Sequence, residues 1–150
     1  MYNNPDIVEW CEFPVKNETW QYPEKDLENY YKTTVMASYA KGTYSYGVFL
    51  GGDYPLTIVK TSGVDNGRKC LIIKESYGNA LSTYIASAFD ETYIVDERYY
   101  DGNIVDLVNE RGITDVLIVN NISASNTNFH IANIEALLTQ KHSGSIAYPY

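Results

Sequence analysis

Cysteine, histidine and positive charge are all scarce in this chain. Its 150 residues hold two cysteines, Cys11 and Cys70, and two histidines, His130 and His142. Two cysteines are too few for a disulfide framework or a thiolate zinc site. Eleven lysines and arginines against nineteen aspartates and glutamates give a net charge of -8. Duplex nucleic acid needs a basic surface, so no nucleic-acid partner is expected. No apolar run is long enough to span a bilayer and none resembles a signal peptide. The segment after Met1 is polar, Tyr-Asn-Asn-Pro-Asp. No Gly-Lys-Ser/Thr follows Gly51-Gly52-Asp53, which excludes a phosphate loop, and a β-turn is the default there. Asp53, Asp96 and Glu97 lack metal-site spacing, and no cofactor is expected.

Fifteen tyrosines are the main surplus. Tyrosine suits half-buried strands, because its ring packs while its hydroxyl stays wet; it also lines carbohydrate grooves. The chain has two halves of different character. From Ile7 to Lys60 short aromatic and β-branched runs predict strands at Ile7–Phe13, Tyr30–Ser38, Tyr44–Leu50 and Leu56–Thr61. Pro14, Pro23, Gly42, Gly51-Gly52 and Pro55 punctuate them, and antiparallel hairpins are the natural reading. Residues 62–67 form a turn-rich link.

From Lys69 onward, strand and helix patterns alternate. Strands are predicted at Lys69–Lys74, Glu91–Asp96 and Asp115–Val119. Helices are predicted at Tyr77–Phe89, burying Leu81, Tyr84, Ile85, Ala88 and Phe89, and at Asn103–Arg111, burying Ile104, Leu107 and Val108, with Gly112 as its C-cap. A last helix, Thr127–Gln140, is predicted to bury Ile131, Ile134, Leu137 and Leu138. Strands separated by helices imply right-handed crossovers. The expected fold is an α/β three-layer sandwich with a parallel sheet, flavodoxin-like, preceded by an antiparallel β-rich segment. Residues 1–62 would be that segment and 63–150 the α/β portion, within one expected structural domain that could be part of a longer protein.

Ser76 is the most informative residue. The apolar run Cys70-Leu71-Ile72-Ile73 ends in Lys74-Glu75-Ser76-Tyr77-Gly78-Asn79, where a helical pattern begins. A serine on a sharp strand-to-helix turn either caps the helix or stands clear of the sheet as a nucleophile, near helix N–H groups that stabilise an oxyanion. In parallel sheets ligands bind at the carboxyl ends of strands. Ser76 follows the first strand, Asp96-Glu97-Arg98 the second, and Asn120-Asn121 the third, so all three sets would emerge along one edge.

The segments YSYGVFLGGDYPLTIVKT, GRKCLIIKESYGNALSTYIASAFDETYIVDERYY and NIVDLVNERGITDVLIVNNISASNT together resemble the DHHW family of bacterial proteins. That family is similar to the alginate O-acetyltransferase group within the SGNH hydrolase superfamily. The resemblance covers roughly residues 44–134 and implies several roles. The family nucleophile is the serine of an Asp-Ser-Tyr motif, which reads Glu75-Ser76-Tyr77 here. An oxyanion-hole amide follows the third strand, which points to Asn120 or Asn121. Arg98 matches a family arginine that lines the site. Tyr77, Asn79, Gly51 and Gly52 are further substrate-lining candidates. The implied substrate is a carbohydrate or acetyl ester, and the implied location is extracellular or in the cell envelope.

The family's general base and orienting acid lie in an Asp-x-His-Trp motif upstream of the serine. This chain has no Asp-x-His. His130 falls on a helix face beside Ile134 and Leu137, where a packed histidine is the commoner reading than a base. Two functions remain open. One is the serine-bearing portion of an SGNH-type esterase or O-acetyltransferase acting on acetylated cell-envelope polysaccharide. The other is a non-catalytic carbohydrate-binding module with a degenerate fold. A dinucleotide or flavin binder is disfavoured, because the Ser-Tyr-Gly-Asn turn lacks the required glycine spacing.

Overall fold

Every residue of the run Cys70–Lys74 is buried, which happens only when a strand has neighbours on both edges and cover on both faces. The structure, a computed structural model, describes residues 15–37, 42–141 and 145–150. The predicted strand Ile7–Phe13, together with Trp10, Cys11, Ser38 and His142, lies outside the described residues.

Six strands form one sheet: β1 (Lys16–Tyr22), β2 (Tyr31–Thr33), β3 (Leu56–Ser62), β4 (Lys69–Lys74), β5 (Glu91–Asp96) and β6 (Asp115–Val119). Their spatial order is β2-β1-β3-β5-β4-β6. The helices are α1 (Gly78–Ile85), α2 (Ile104–Arg111) and α3 (Asn128–Thr139).

The expected parallel-sheet sandwich is corrected by this topology. β4 pairs in parallel with β5 and with β6, but β1–β2, β1–β3 and β3–β5 are all antiparallel. The sheet is therefore mixed and mostly antiparallel. β3 runs against β5 in the register Ile58↔Tyr93, so the tyrosine-rich N-terminal strands extend the same sheet. The reason is a connection that skips a position. The link after β3 passes the place later filled by β5 before entering β4, which hairpin logic does not anticipate.

Two apolar clusters cover the two faces. Leu56, Ile58, Leu71, Ile73, Tyr93 and Val95 pack against Ile104 and Leu107 of α2 and Leu137 of α3. On the other face Val59, Cys70, Ile72 and Ile94 meet Ala86 and Phe89 at the end of the α1 segment. Burial pushes the Cys70 thiol up to about 12, as fits a small apolar packing residue rather than a reactive thiol.

Several local predictions are corrected. Residues Tyr44–Leu50 do not form a strand; a 3-10 segment, Gly42–Val48, kinked at Tyr44, takes their place. Between Tyr30 and Ser38 only Tyr31–Thr33 is a strand, and β1 was not predicted. In α1 the buried residues are Gly78, Asn79, Ser82 and Thr83, while Leu81 and Tyr84 are exposed. In α3 Leu137 is buried but Ile131 and Leu138 are exposed. α2 matches its prediction closely. Asn103 caps it by accepting from Val105 and Asp106 N–H, and Gly112 closes it at φ 64°.

Candidate functional site at the carboxyl edge of the sheet

The chain leaves β4 at Lys74 and enters α1 at Gly78, so three residues carry the turn. Gly78 makes this possible. A Cβ there would lie 2.5 Å from Lys74 Cβ and 3.3 Å from the Val119 carbonyl oxygen, so the helix start can approach the strands only with glycine. The Tyr46 hydroxyl pins the turn from outside, donating to the Ser76 carbonyl at 3.1 Å and the Tyr77 carbonyl at 3.0 Å.

Ser76 does not cap α1. The N-cap position falls to Tyr77, and no side chain caps the helix. The half-buried Ser76 hydroxyl donates instead to Glu75 Oε2 at 3.2 Å. Glu75 is buried and also accepts the Tyr77 N–H at 3.0 Å and, through Oε1, the Asn121 N–H at 3.0 Å. One carboxylate thus ties the Ser76 turn to the exit of β6.

Arg98 belongs to a different cluster. Its Nε and Nη2 grip Asp96 at 2.8 and 2.7 Å, and Nη2 also meets Asp53 at 2.8 Å. The buried Lys74 ammonium sits between the same two carboxylates, 2.6 Å from Asp96 and 3.1 Å from Asp53. Asn79 completes the group by donating to Asp53 at 3.0 Å and to the Gly52 carbonyl at 3.4 Å. Burial raises the Asp53 carboxyl, but Lys74, Asn79 and Arg98 outweigh it and hold the group below its ordinary range. Gly51 lies beside this cluster, its carbonyl accepting the Tyr44 hydroxyl at 2.5 Å.

The two asparagines after β6 part company. Asn121 Oδ1 accepts Ser123 and Ala124 N–H, at 2.8 and 2.9 Å, and closes a local turn. Asn120 makes no side-chain hydrogen bond among the described residues, and its Oδ1 is buried without a partner. It lines a groove of about 240 Å³ with Ile118, Ala124, Ser125, His130, Ile131 and Ile134. Neither Ser76 nor Arg98 lines that groove.

His130, read as a packed or half-exposed helix residue rather than a base, has its Nδ1 against the carboxylate of Glu97, whose side chain is fully buried. Asn133 holds the other Glu97 oxygen at 2.6 Å, and the Glu97 N–H bonds the Lys74 carbonyl at 3.1 Å. Glu97 and His130 lie 33 residues apart, so only the fold brings them together. Among the described residues no group of three or more His, Cys, Asp and Glu side chains has a metal-holding arrangement. No helix among them is long and apolar enough to cross a membrane.

The fold is shared with solved structures. A DHHW family protein from Eubacterium siraeum superposes with a TM-score of 0.71 at 26% identity, over 84% of this chain and 42% of that one. PatB1 of Bacillus cereus, solved alone and with a sulfonyl adduct, superposes at 0.63 with 20% identity, over 75% of this chain and 38% of its own. The chain therefore spans less than half the length of either protein. No curated protein matches its sequence. The sequence profile of the DHHW protein family matches residues 1–95, and the chain belongs to that family.

Proposed function

We propose that this chain carries the nucleophile portion of an acyl-transfer site, an SGNH-type esterase or O-acetyltransferase. Its substrate is acetylated polysaccharide at the cell envelope or outside the cell. The observation that carries this reading is the Ser76 turn. A serine placed there as a mere helix cap would bond the helix N–H groups, and Ser76 bonds Glu75 instead. PatB1, solved with a sulfonyl adduct, shares this fold.

Ser76 Oγ is the nucleophile: it gives up its proton to a base and bonds the acetyl carbon. The ester C–O bond breaks, and the sugar oxygen leaves and takes up a proton as the free hydroxyl. The Tyr77 and Asn121 N–H groups are spent on the Glu75 carboxylate and are not free to hold an oxyanion. Arg98 orders the floor of the site through Asp53 and Asp96. The proton acceptor for Ser76 is the histidine of an Asp-x-His-Trp segment, the feature this chain lacks.

The test is acetyl-ester turnover by this chain, by a longer chain carrying Asp-x-His-Trp ahead of it, and by the Ser76→Ala form of the longer chain. The short chain is expected to be nearly inactive. The longer chain is expected to turn over, and Ser76→Ala to lose on the order of 10³-fold or more. Strong turnover by the short chain would show that the base lies within it. An inactive longer chain would favour a glycan-binding module.

A further inference from the structure

We propose that the groove between β6 and α3 is a subsite for two neighbouring hydroxyl groups of a carbohydrate, read by His130 and Asn120. It deepens the acyl-transfer reading and rests on it for the identity of the substrate. Three observations carry it.

First, the imidazole is oriented. Glu97 takes the Nδ1 side of His130, and Asn133 fixes Glu97 from behind. In the neutral imidazole a carboxylate at Nδ1 selects the tautomer with its proton there and leaves Nε2 as a lone-pair acceptor. Nε2 makes no hydrogen bond among the described residues. Second, the Asn120 amide is also oriented. Its Oδ1 is buried without a partner, and Nδ2 makes no hydrogen bond among the described residues, so Nδ2 is the end left for a ligand in the groove that Asn120 lines. The same groove is thus lined by one residue with a free acceptor and one with a free donor. Third, the remaining walls are mostly apolar: Ile118, Ala124, Ile131 and Ile134.

A vicinal diol answers this pattern. One hydroxyl donates to Nε2, its neighbour accepts from Nδ2, and the C–H face of the ring covers the isoleucines. A carboxylate ligand would set its lone pairs against that of Nε2. An acyl chain would leave both polar groups buried and unpaired, which is unfavourable. Ser76 lies outside this groove, so His130 addresses the sugar rather than the nucleophile.

The experiment is a titration of the chain with methyl β-D-glucopyranoside up to roughly 100 mM, weak binding being expected of a single sugar. It is followed by NMR at the His130 imidazole and the Asn120 side-chain amide, with sodium butyrate as the acyl-chain probe. Saturable shifts at both residues with the glucoside and none with butyrate are expected. His130→Gln can still bond Glu97, and Asn120→Leu keeps the side-chain volume, so both variants retain packing. Each should raise the midpoint about fivefold, the worth of one hydrogen bond. No saturable shift, butyrate binding in place of the sugar, or unchanged affinity in both folded variants would overturn the proposal. None of these readouts depends on Ser76. Failure of acetyl-ester turnover would instead strike the acyl-transfer reading and leave the titration to stand by itself.

Discussion

Two polar clusters sit along one edge of the sheet and differ in what they leave unanswered. Around Lys74, every charged group meets an opposite charge: Lys74 and Arg98 share Asp96 and Asp53, and Asn79 takes a further lone pair. Around His130, Glu97 takes only Nδ1, Nε2 and the Asn120 amide make no hydrogen bond among the described residues, and both residues line a groove. The first arrangement holds structure and the second can hold a ligand. A cation such as Arg98 draws attention in sequence, yet capacity to bind depends on unspent hydrogen-bonding groups rather than on charge.

The contrast predicts a large cost for breaking the closed cluster. Asp96→Ala leaves the Lys74 ammonium, only 1% exposed, with Asp53 as its one remaining carboxylate. Stability measured by urea unfolding should fall by about 3–5 kcal/mol. A loss below about 1 kcal/mol would mean that the cluster is not closed.

A smaller effect concerns pH. The Asp53 carboxyl lies below its ordinary range when folded. Its contribution to stability is therefore complete above the unfolded value of about 4 and is lost as pH falls through the lower folded value. Asp53→Asn should remove that part of the acid sensitivity, so the difference in stability between variant and parent should shrink as the pH is lowered from 7 to 3. A constant difference would contradict the coupling to Lys74 and Arg98.

The open cluster should respond least in stability. Asn120→Leu removes an acceptor that has no donor, so unfolding free energy should change by less than about 1 kcal/mol, or rise. A loss above about 2 kcal/mol would place Asn120 in the structural class and erase the comparison.

These clusters also mark how far the sequence could be read. β4, β5 and β6 were legible because short apolar runs between turn signals have few other uses. α2 was legible because Asn103 and Gly112 are strong end signals. Tyr44–Leu50 misled because Tyr44, Tyr46 and Val48 alternate as a strand would, while the two tyrosine hydroxyls in fact reach Gly51 and the Ser76 turn. β1 was missed because Lys16, Asn17 and Glu18 give it a polar start. α1 misled for a reason tied to the site. Its strand-facing side must be small to let Gly78 approach Lys74, so Ser82 and Thr83 turn inward and Leu81 and Tyr84 outward. Ser76, Arg98 and the asparagine pair could be named from their positions after strands. Which of them had groups to spare could not, because Asp53 reaches Arg98 from 45 residues away and Glu97 reaches His130 across α3.

The central claim is that the β4–α1 turn presents Ser76 as a nucleophile, and covalent labelling tests it most directly. A longer chain carrying Asp-x-His-Trp would be treated with an aryl sulfonyl fluoride and mapped by peptide mass spectrometry. The prediction is a single adduct on Ser76, formed with loss of fluoride and absent from Ser76→Ala. An unmodified Ser76 beside a labelled serine or tyrosine elsewhere would contradict it.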